Sequence, residues 1–141
     1  MDKVPKIVRF QKIGNQKEGY LSICENIDIV EFDVKRVFWN YGTPNEVTRG
    51  RHAHYETEMV IIAITGEVKV SVITIEGEPL KFVLSDPNQG LYLPKLCWHE
   101  MNYSLNAVQL VLCSTNYDER DYIRSKDNFE SLVKQHQNIK S

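Results

Sequence analysis

The chain has 141 residues, 42% of them hydrophobic and 26% charged, which suits one compact domain spanning 1–141 and an ordinary globular composition. Seventeen Lys and Arg stand against nineteen Asp and Glu, a formal charge of -2. The basic excess of a nucleic-acid binder is missing, so an anionic ligand must be held by a few local cations.

The opening Met1-Asp2-Lys3-Val4-Pro5-Lys6 has no apolar stretch behind its charges and does not read as a signal peptide. Segments of β character then follow one another at 6–13, 20–24, 34–41, 51–55, 59–65, 67–75, 80–84, 91–93, 99–103 and 108–114. Turn chemistry separates them: Gly14-Asn15, Gly42-Thr43-Pro44-Asn45, Thr65-Gly66, Glu76-Gly77-Glu78-Pro79 and Asp86-Pro87-Asn88. Val68, Val70 and Val72 alternate with Lys69 and Ser71 as in a half-buried strand. Many strands and few helices predict an all-β antiparallel barrel or sandwich, of which the jelly roll is one form. Only the tail reads as helix, with Asp127-Asn128 as cap, Phe129, Leu132 and Val133 at helical spacing, an end near His136, and His136 itself in solvent. The longest apolar runs, 59–64 and 108–113, are too short to cross a bilayer, so a cytoplasmic protein without a membrane partner is expected.

Cys24, Cys97 and Cys113 are odd in number and lack C-x-x-C spacing, so they read as buried, reduced thiols rather than a disulfide scaffold or a zinc site. Arg49-Gly50-Arg51-His52-Ala53-His54 is the most informative stretch. In an extended strand His52 and His54 project to the same side, about 7 Å apart. Imidazole titrates closest to neutrality, so such a pair can move protons between adjacent carbons; the alternative is a pair of hydrogen-bonded, partly buried rings.

Glu58 follows His54 by four residues, and His99 comes later behind Gly90 and Pro94. His52-Ala53-His54 with Glu58 and Gly66, then Gly90, Pro94, His99 and Asn102, resembles the two-motif pattern of the cupin superfamily, with Leu96 where that superfamily usually has glycine. The resemblance implies a cupin-type antiparallel jelly-roll barrel with a short C-terminal helix. In metal-binding cupins the matching positions form a three-histidine, one-carboxylate site. Here that set is His52, His54, Glu58 and His99, which suits Fe, Mn, Ni or Zn by ligand type. Spacing does not separate a metal-dependent enzyme from a metal-free acid–base site.

Beyond these motifs the chain resembles the bacterial dTDP-4-keto-6-deoxyglucose 3,4-ketoisomerases, the WxcM-like sugar isomerases. The residues that carry this are Val34-Lys35-Arg36-Val37, Arg49-Gly50-Arg51-His52-Ala53-His54, Gly90-Leu91-Tyr92, Trp98-His99-Glu100-Met101, Tyr117-Asp118-Glu119-Arg120-Asp121-Tyr122-Ile123-Arg124 and Asp127-Asn128-Phe129. The resemblance implies a homodimer without a metal or other cofactor, acting on a dTDP-linked keto-sugar. It places His52 and His54 in the active site. Related 3,5-epimerases contact substrate phosphates with the arginine of an R-G-x-H segment, which falls on Arg49. Arg36 is a second candidate cation, while Tyr92 and His99 are candidates to hydrogen-bond the sugar. The 117–124 stretch reads as a surface turn whose carboxylates pair with arginines. Trp39, Tyr41 and Trp98 read as core or interface aromatics. The family often has an Arg-Gly pair in the early turn, where this chain has Glu18-Gly19 preceded by Lys17. A lysine lacks the planar fork of arginine. A non-catalytic nucleotide-sugar-binding module and a 3,5-epimerase are the other readings left open.

Overall fold

The computed structural model describes residues 3–25 and 30–141; Met1 and Asp2 of the opening segment lie outside them. The elements in chain order are β1 (Lys6–Arg9), β2 (Gln11–Asn15), β3 (Gly19–Ile23), β4 (Arg36–Asn40), β5 (Arg49–His54), β6 (Met59–Thr65), β7 (Val68–Ile73), β8 (Pro79–Leu84), β9 (Gln89–Leu93), β10 (Trp98–Tyr103), β11 (Val108–Cys113), a 3-10 turn (Glu119–Asp121), β12 (Tyr122–Ile123) and α1 (Lys126–Lys140). Ten strands form two antiparallel five-stranded sheets, ordered β1-β9-β6-β11-β4 and β12-β5-β10-β7-β8, and β2 pairs with β3 in a separate hairpin. The protein is thus the all-β, cupin-type jelly roll with one C-terminal helix that the sequence predicts.

The main core lies between the sheets, where Met59, Ile61 and Ala63 of β6 meet Val68, Val70 and Val72 of β7, Leu91 and Leu93 of β9, and Met101 and Tyr103 of β10. The β7 alternation therefore places its valines as its sequence pattern requires. β6 is buried at five successive residues because both of its faces are covered. Its other face carries Val60 and Ile62, which pack with Val8, Phe10, Val30, Phe32, Tyr92 and Leu112. A third cluster, Ala53, Trp98, Ile123 and Phe129, seats the helix on the outside of the second sheet.

Several boundaries differ from those read in the sequence. The segment at 6–13 divides at Phe10, whose ring enters the outer cluster and whose N–H donates to the Asn88 carbonyl at 3.0 Å. β12 is a two-residue strand created by pairing with β5. The helix is capped by the Ser125 hydroxyl, which accepts from the Asn128 N–H, rather than by Asp127-Asn128. It continues past His136 because its last turns are tied to Glu76: His136 Nε2 lies 3.0 Å from Glu76 Oε1, Gln137 donates to the Glu76 carbonyl, and Lys140 pairs with the carboxylate. His136 is accordingly half-buried and partnered, not free in solvent. Cys97 and Cys113 are buried thiols, but Cys24 is exposed.

The feature that places the candidate functional residues is a bulge in β5. Arg49 registers with Met101, Gly50 with Glu100, and His52 with His99, so Arg51 is an extra residue without a partner on β10. Gly50 and Arg51 have φ of 86° and 57°, the left-handed region that the turn of the bulge demands. Strict alternation would put Arg49 and His52 on opposite faces; the added residue puts both on the inner one, beside Met101 and His99. A Cβ on Gly50 would lie 2.8 Å from the His99 carbonyl oxygen. Gly50→Ala is therefore expected to lower unfolding free energy by about 1–3 kcal/mol, read as a lower denaturation midpoint. A variant as stable as the parent would show that the bulge is not constrained in this way.

Candidate active site

A cleft of about 450 Å³ is lined by the edge strand β4 of one sheet and by β5, with its short outer neighbour β12, of the other. Its walls include Phe38 and Asn40 of β4, Arg49, His52 and His54 of β5, Met59 and Ile61 of β6, His99 and Met101 of β10, and Tyr122 of β12. The three histidines converge there: ring centroids are 4.8 Å apart for His52 and His54, 4.5 Å for His52 and His99, and 6.0 Å for His54 and His99. Tyr122 closes the group, 4.9 Å from His52 and 4.5 Å from His54.

Hydrogen bonding fixes how each ring is used. His52 Nδ1 lies 2.9 Å from the Gly50 carbonyl and His99 Nδ1 lies 3.1 Å from the Cys97 carbonyl. A carbonyl only accepts, so Nδ1 carries the proton in both rings and Nε2 keeps its lone pair. His54 Nδ1 donates to Asp121 Oδ2 at 3.0 Å, with the same result. Asp121 is itself held: its Oδ1 accepts from the Glu56 N–H at 2.7 Å, and its Oδ2 accepts from the Thr57 hydroxyl, which meets Thr115 at 2.6 Å.

Electrostatics keep the cluster neutral. Burial is the main cause that pulls His54 down to about 4, with the adjoining His52 adding to it, against the pull of Asp121 in the other direction. Burial likewise depresses His52, and it depresses the fully enclosed His99 well below the usual imidazole range. At neutral pH the site therefore presents three uncharged imidazoles with exposed-type lone pairs at Nε2, a set suited to taking up protons.

The sequence-based assignments divide. His52, His54, His99 and Arg49 all line the cleft. Arg36 sits beside its histidine end: its guanidinium lies over the rings of Phe38 and Tyr117, at 5.9 and 5.6 Å, and its charge helps depress His54. Tyr92 is a correction. It alternates with Leu91 and Leu93, which enter the main core, so its ring faces the opposite side of the sheet among Val8, Phe10 and Phe32, where the phenol donates to Glu58. It cannot reach a sugar held at the histidines.

The same placement removes Glu58 from the four-residue metal set. Its carboxylate accepts from Tyr92 and pairs with Lys3 at 2.7 Å. The ring nitrogens of His52, His54 and His99 lie within 4.8 Å of one another and offer three ligands, but the fourth position of the expected site is not supplied by Glu58. Glu18 and Lys17 lie at the tip of the β2–β3 hairpin, where both N–H groups donate to Asn15 Oδ1. Trp98 is a core residue packed on Phe129, and Cys97 is buried with its thiol pushed up to about 12.

Asp121 and Tyr122 are the residues that sequence reading misses. The 117–124 turn does form the expected pairs, Arg120 with Asp118 and Arg124 with Glu119. Asp121, however, lies among them at the end of the 3-10 turn and reaches inward. The available signal is Tyr122-Ile123, a short β-forming pair directly after Asp121, which lets the turn dock along β5.

Comparison with known proteins gives the family of the chain. The model of the WxcM-like, C-terminal (FdtA) family matches residues 3–134. The chain is 38% identical over 130 residues to the TDP-4-oxo-6-deoxy-alpha-D-glucose-3,4-oxoisomerase of Aneurinibacillus thermoaerophilus, covering 91% of each protein. It superposes on the sugar 3,4-ketoisomerase QdtA of Thermoanaerobacterium thermosaccharolyticum in complex with TDP with a TM-score of 0.89, at 34% identity, covering 96% of this chain and 98% of that one. The dTDP-4-dehydrorhamnose 3,5-epimerase of Bacillus anthracis shares the fold alone, at 14% identity and a TM-score of 0.73 over 84% of this chain and 76% of that one. The bulged, histidine-lined jelly roll described here therefore belongs to the WxcM-like sugar ketoisomerase family.

Proposed function

We propose that the protein isomerises TDP-4-keto-6-deoxyglucose to the corresponding 3-keto sugar. The observation that carries this reading is the convergence of three neutral imidazoles at one end of a cleft that also holds an arginine.

In the 4-keto sugar the carbonyl acidifies the hydrogen on C3. His52 Nε2 takes that proton as general base, which leaves an enediolate across C3 and C4. Protonation at C4 and transfer of the hydroxyl proton from O3 to O4 complete the conversion to a 3-keto sugar. His54 relays or donates the proton to C4; its Nδ1–H, held by Asp121, keeps Nε2 aimed at the cleft and stabilises positive charge on the ring while it is protonated. His99 Nε2 accepts a hydrogen bond from a sugar hydroxyl. No electron leaves the substrate, so the interconversion balances without a redox partner. Arg49 meets the diphosphate, and Arg36 places a positive charge near the oxyanion.

The protein acts as a homodimer in the cytoplasm, and its product supplies the carbon skeleton for 3-amino-3,6-dideoxy sugars of surface polysaccharides such as lipopolysaccharide. An uncovered apolar stripe supports the dimer: Val37, Trp39 and Tyr41 are exposed on the edge strand β4 and just beyond it, Trp39 at 59% and Tyr41 at 72%, on the side away from the cleft. A soluble monomer has little reason to leave such a run in water.

Four outcomes test this reading. Incubation with TDP-4-keto-6-deoxyglucose in heavy water should give a 3-keto product carrying deuterium at C4. His52→Asn should lower turnover by about 10²–10⁴-fold while TDP binding stays nearly unchanged; turnover at the parental rate would remove His52 from the base role. A third measurement follows pH. Because all three imidazoles are depressed in the folded protein, the unfolded chain binds more protons below about 6.5. Both activity and stability should hold from pH 8 to about 6.5. On further acidification stability should fall as His54 approaches its folded value of about 4, and kcat/KM should fall with a midpoint below the ordinary imidazole value. A midpoint above 7 would contradict neutral, desolvated bases. Finally, sedimentation of the parent should give twice the chain mass, and Trp39→Glu should shift it to one; a monomeric parent would exclude the dimer.

A further inference from the structure

Among the described residues, the walls of the cleft contain no carboxylate: their polar groups are the imidazoles, Tyr122, Thr48, the amides of Asn40 and Gln109, and the guanidiniums of Arg49 and Arg124. Arg124 is paired through two hydrogen bonds with Glu119, at 2.6 and 3.0 Å. Arg49 forms no ion pair among the described residues, and its charge acts on the phenol of Tyr103. Among the described residues, one end of the cleft thus offers an unpaired cation and no wall group that repels an anion.

Behind that end lies a polar chain with no place in the chemistry at the histidines. Gln109 is fully buried, yet it sits on a strand otherwise filled with Val, Leu and Cys. Its Oε1 accepts from the Tyr103 hydroxyl at 3.3 Å and its Nε2 donates to Asn40 Oδ1 at 2.9 Å. The direction of the chain is fixed by its inner end. The buried phenol has one hydrogen to give, and among the described residues Gln109 is its only hydrogen-bond partner, so Gln109 must present oxygen to Tyr103 and nitrogen to Asn40. Asn40 in turn has its oxygen engaged and turns its NH2 group to the cleft. A buried glutamine at this position is costly unless it is satisfied, and what it achieves is to hold one amide in a donor-only orientation.

Asn40 and Arg36 lie at opposite ends of β4, about 13 Å apart, with Phe38 between them on the same face. Arg36 marks the histidine end, so Asn40 lies where the substrate continues beyond the reacting hexose.

We propose that the Asn40 amide, locked by Gln109 and Tyr103, is the second donor of a diphosphate subsite shared with Arg49, with Gln109 as a positioning residue. This rests on the nucleotide-sugar reading above and adds the residue that reads the linkage. A fixed N–H donor and a guanidinium together suit the acceptor-rich oxygens of a diphosphate.

Binding of TDP and of thymidine, measured by calorimetry and ligand-observed NMR, separates the possibilities. Asn40→Asp keeps the shape and the bond from Gln109 but faces the diphosphate with a carboxylate, and it should weaken TDP binding about 100-fold; Asn40→Ser should weaken it about tenfold. Thymidine binding should not change in either. KM for the keto-sugar should rise with the TDP dissociation constant while kcat stays within about threefold, a split that general loosening of the fold would not give. Gln109→Met should give a smaller loss of the same kind, and Gln109→Glu, which can still accept from Tyr103 but not donate to Asn40, should not restore it. Unchanged TDP binding in both Asn40 variants, or an equal loss for thymidine, would overturn the subsite. If Asn40→Asp does not fold, Asn40→Ser decides alone. A parent protein that binds no TDP would overturn the substrate reading, and the subsite with it.

Discussion

Strand β5 carries one residue more than β10 can pair, and the arrangement of the site follows from that surplus. With Arg51 unpaired, the inner face of β5 collects Arg49, His52 and His54 in succession, where an unbulged strand would turn Arg49 to the outside. An arginine and two histidines are thereby set along one wall of one cleft. The bulge needs the left-handed backbone at Gly50 and Arg51, so part of the sequence signature around the histidines serves backbone geometry rather than chemistry. Leu96 shows the same separation. It holds a φ of 60° at the place where related cupins usually have glycine, and its N–H still donates to the His54 carbonyl at 2.8 Å.

The second constraint is desolvation. The histidines are enclosed by Tyr122, Met59, Met101 and one another, and this environment disfavours the imidazolium form more strongly than Asp121 can favour it at His54. The site therefore rests uncharged, with the Nε2 lone pairs free to accept protons. Asp121 is then best understood through the tautomer it imposes. Its two oxygens are occupied by Glu56, Thr57 and His54, so it cannot rotate away, and the ring it holds cannot flip.

Glu58 illustrates how a motif can keep its residues and change their use. It stands at the spacing expected of a metal-binding carboxylate, yet in the fold it joins Lys3 and Tyr92 on the outer face of the sheet. The polar cluster it forms closes the outside of the barrel, next to the apolar packing of Val8 and Phe10.

The local parts of this structure were readable from sequence because they depend on neighbours along the chain. Alternation of Val68, Val70 and Val72, the turn chemistry between strands, and the common face of His52 and His54 are all set by the two-residue period of a strand. The fold class followed from the number of such segments, and the family resemblance from the order of its motifs. What needed the tertiary structure was which face of a strand is inside when both faces are buried. Tyr92 and Leu91 are neighbours that can both be buried, and the packing of the N-terminal segment over one side of β9 sends the phenol outward. Asp121 and the Gln109–Asn40 pair were invisible for a related reason: their partners lie 67 and 69 residues away. A hydrogen bond across such a separation leaves no period in the sequence, because it is created by distant segments becoming neighbours in one sheet and not by the conformation of either strand.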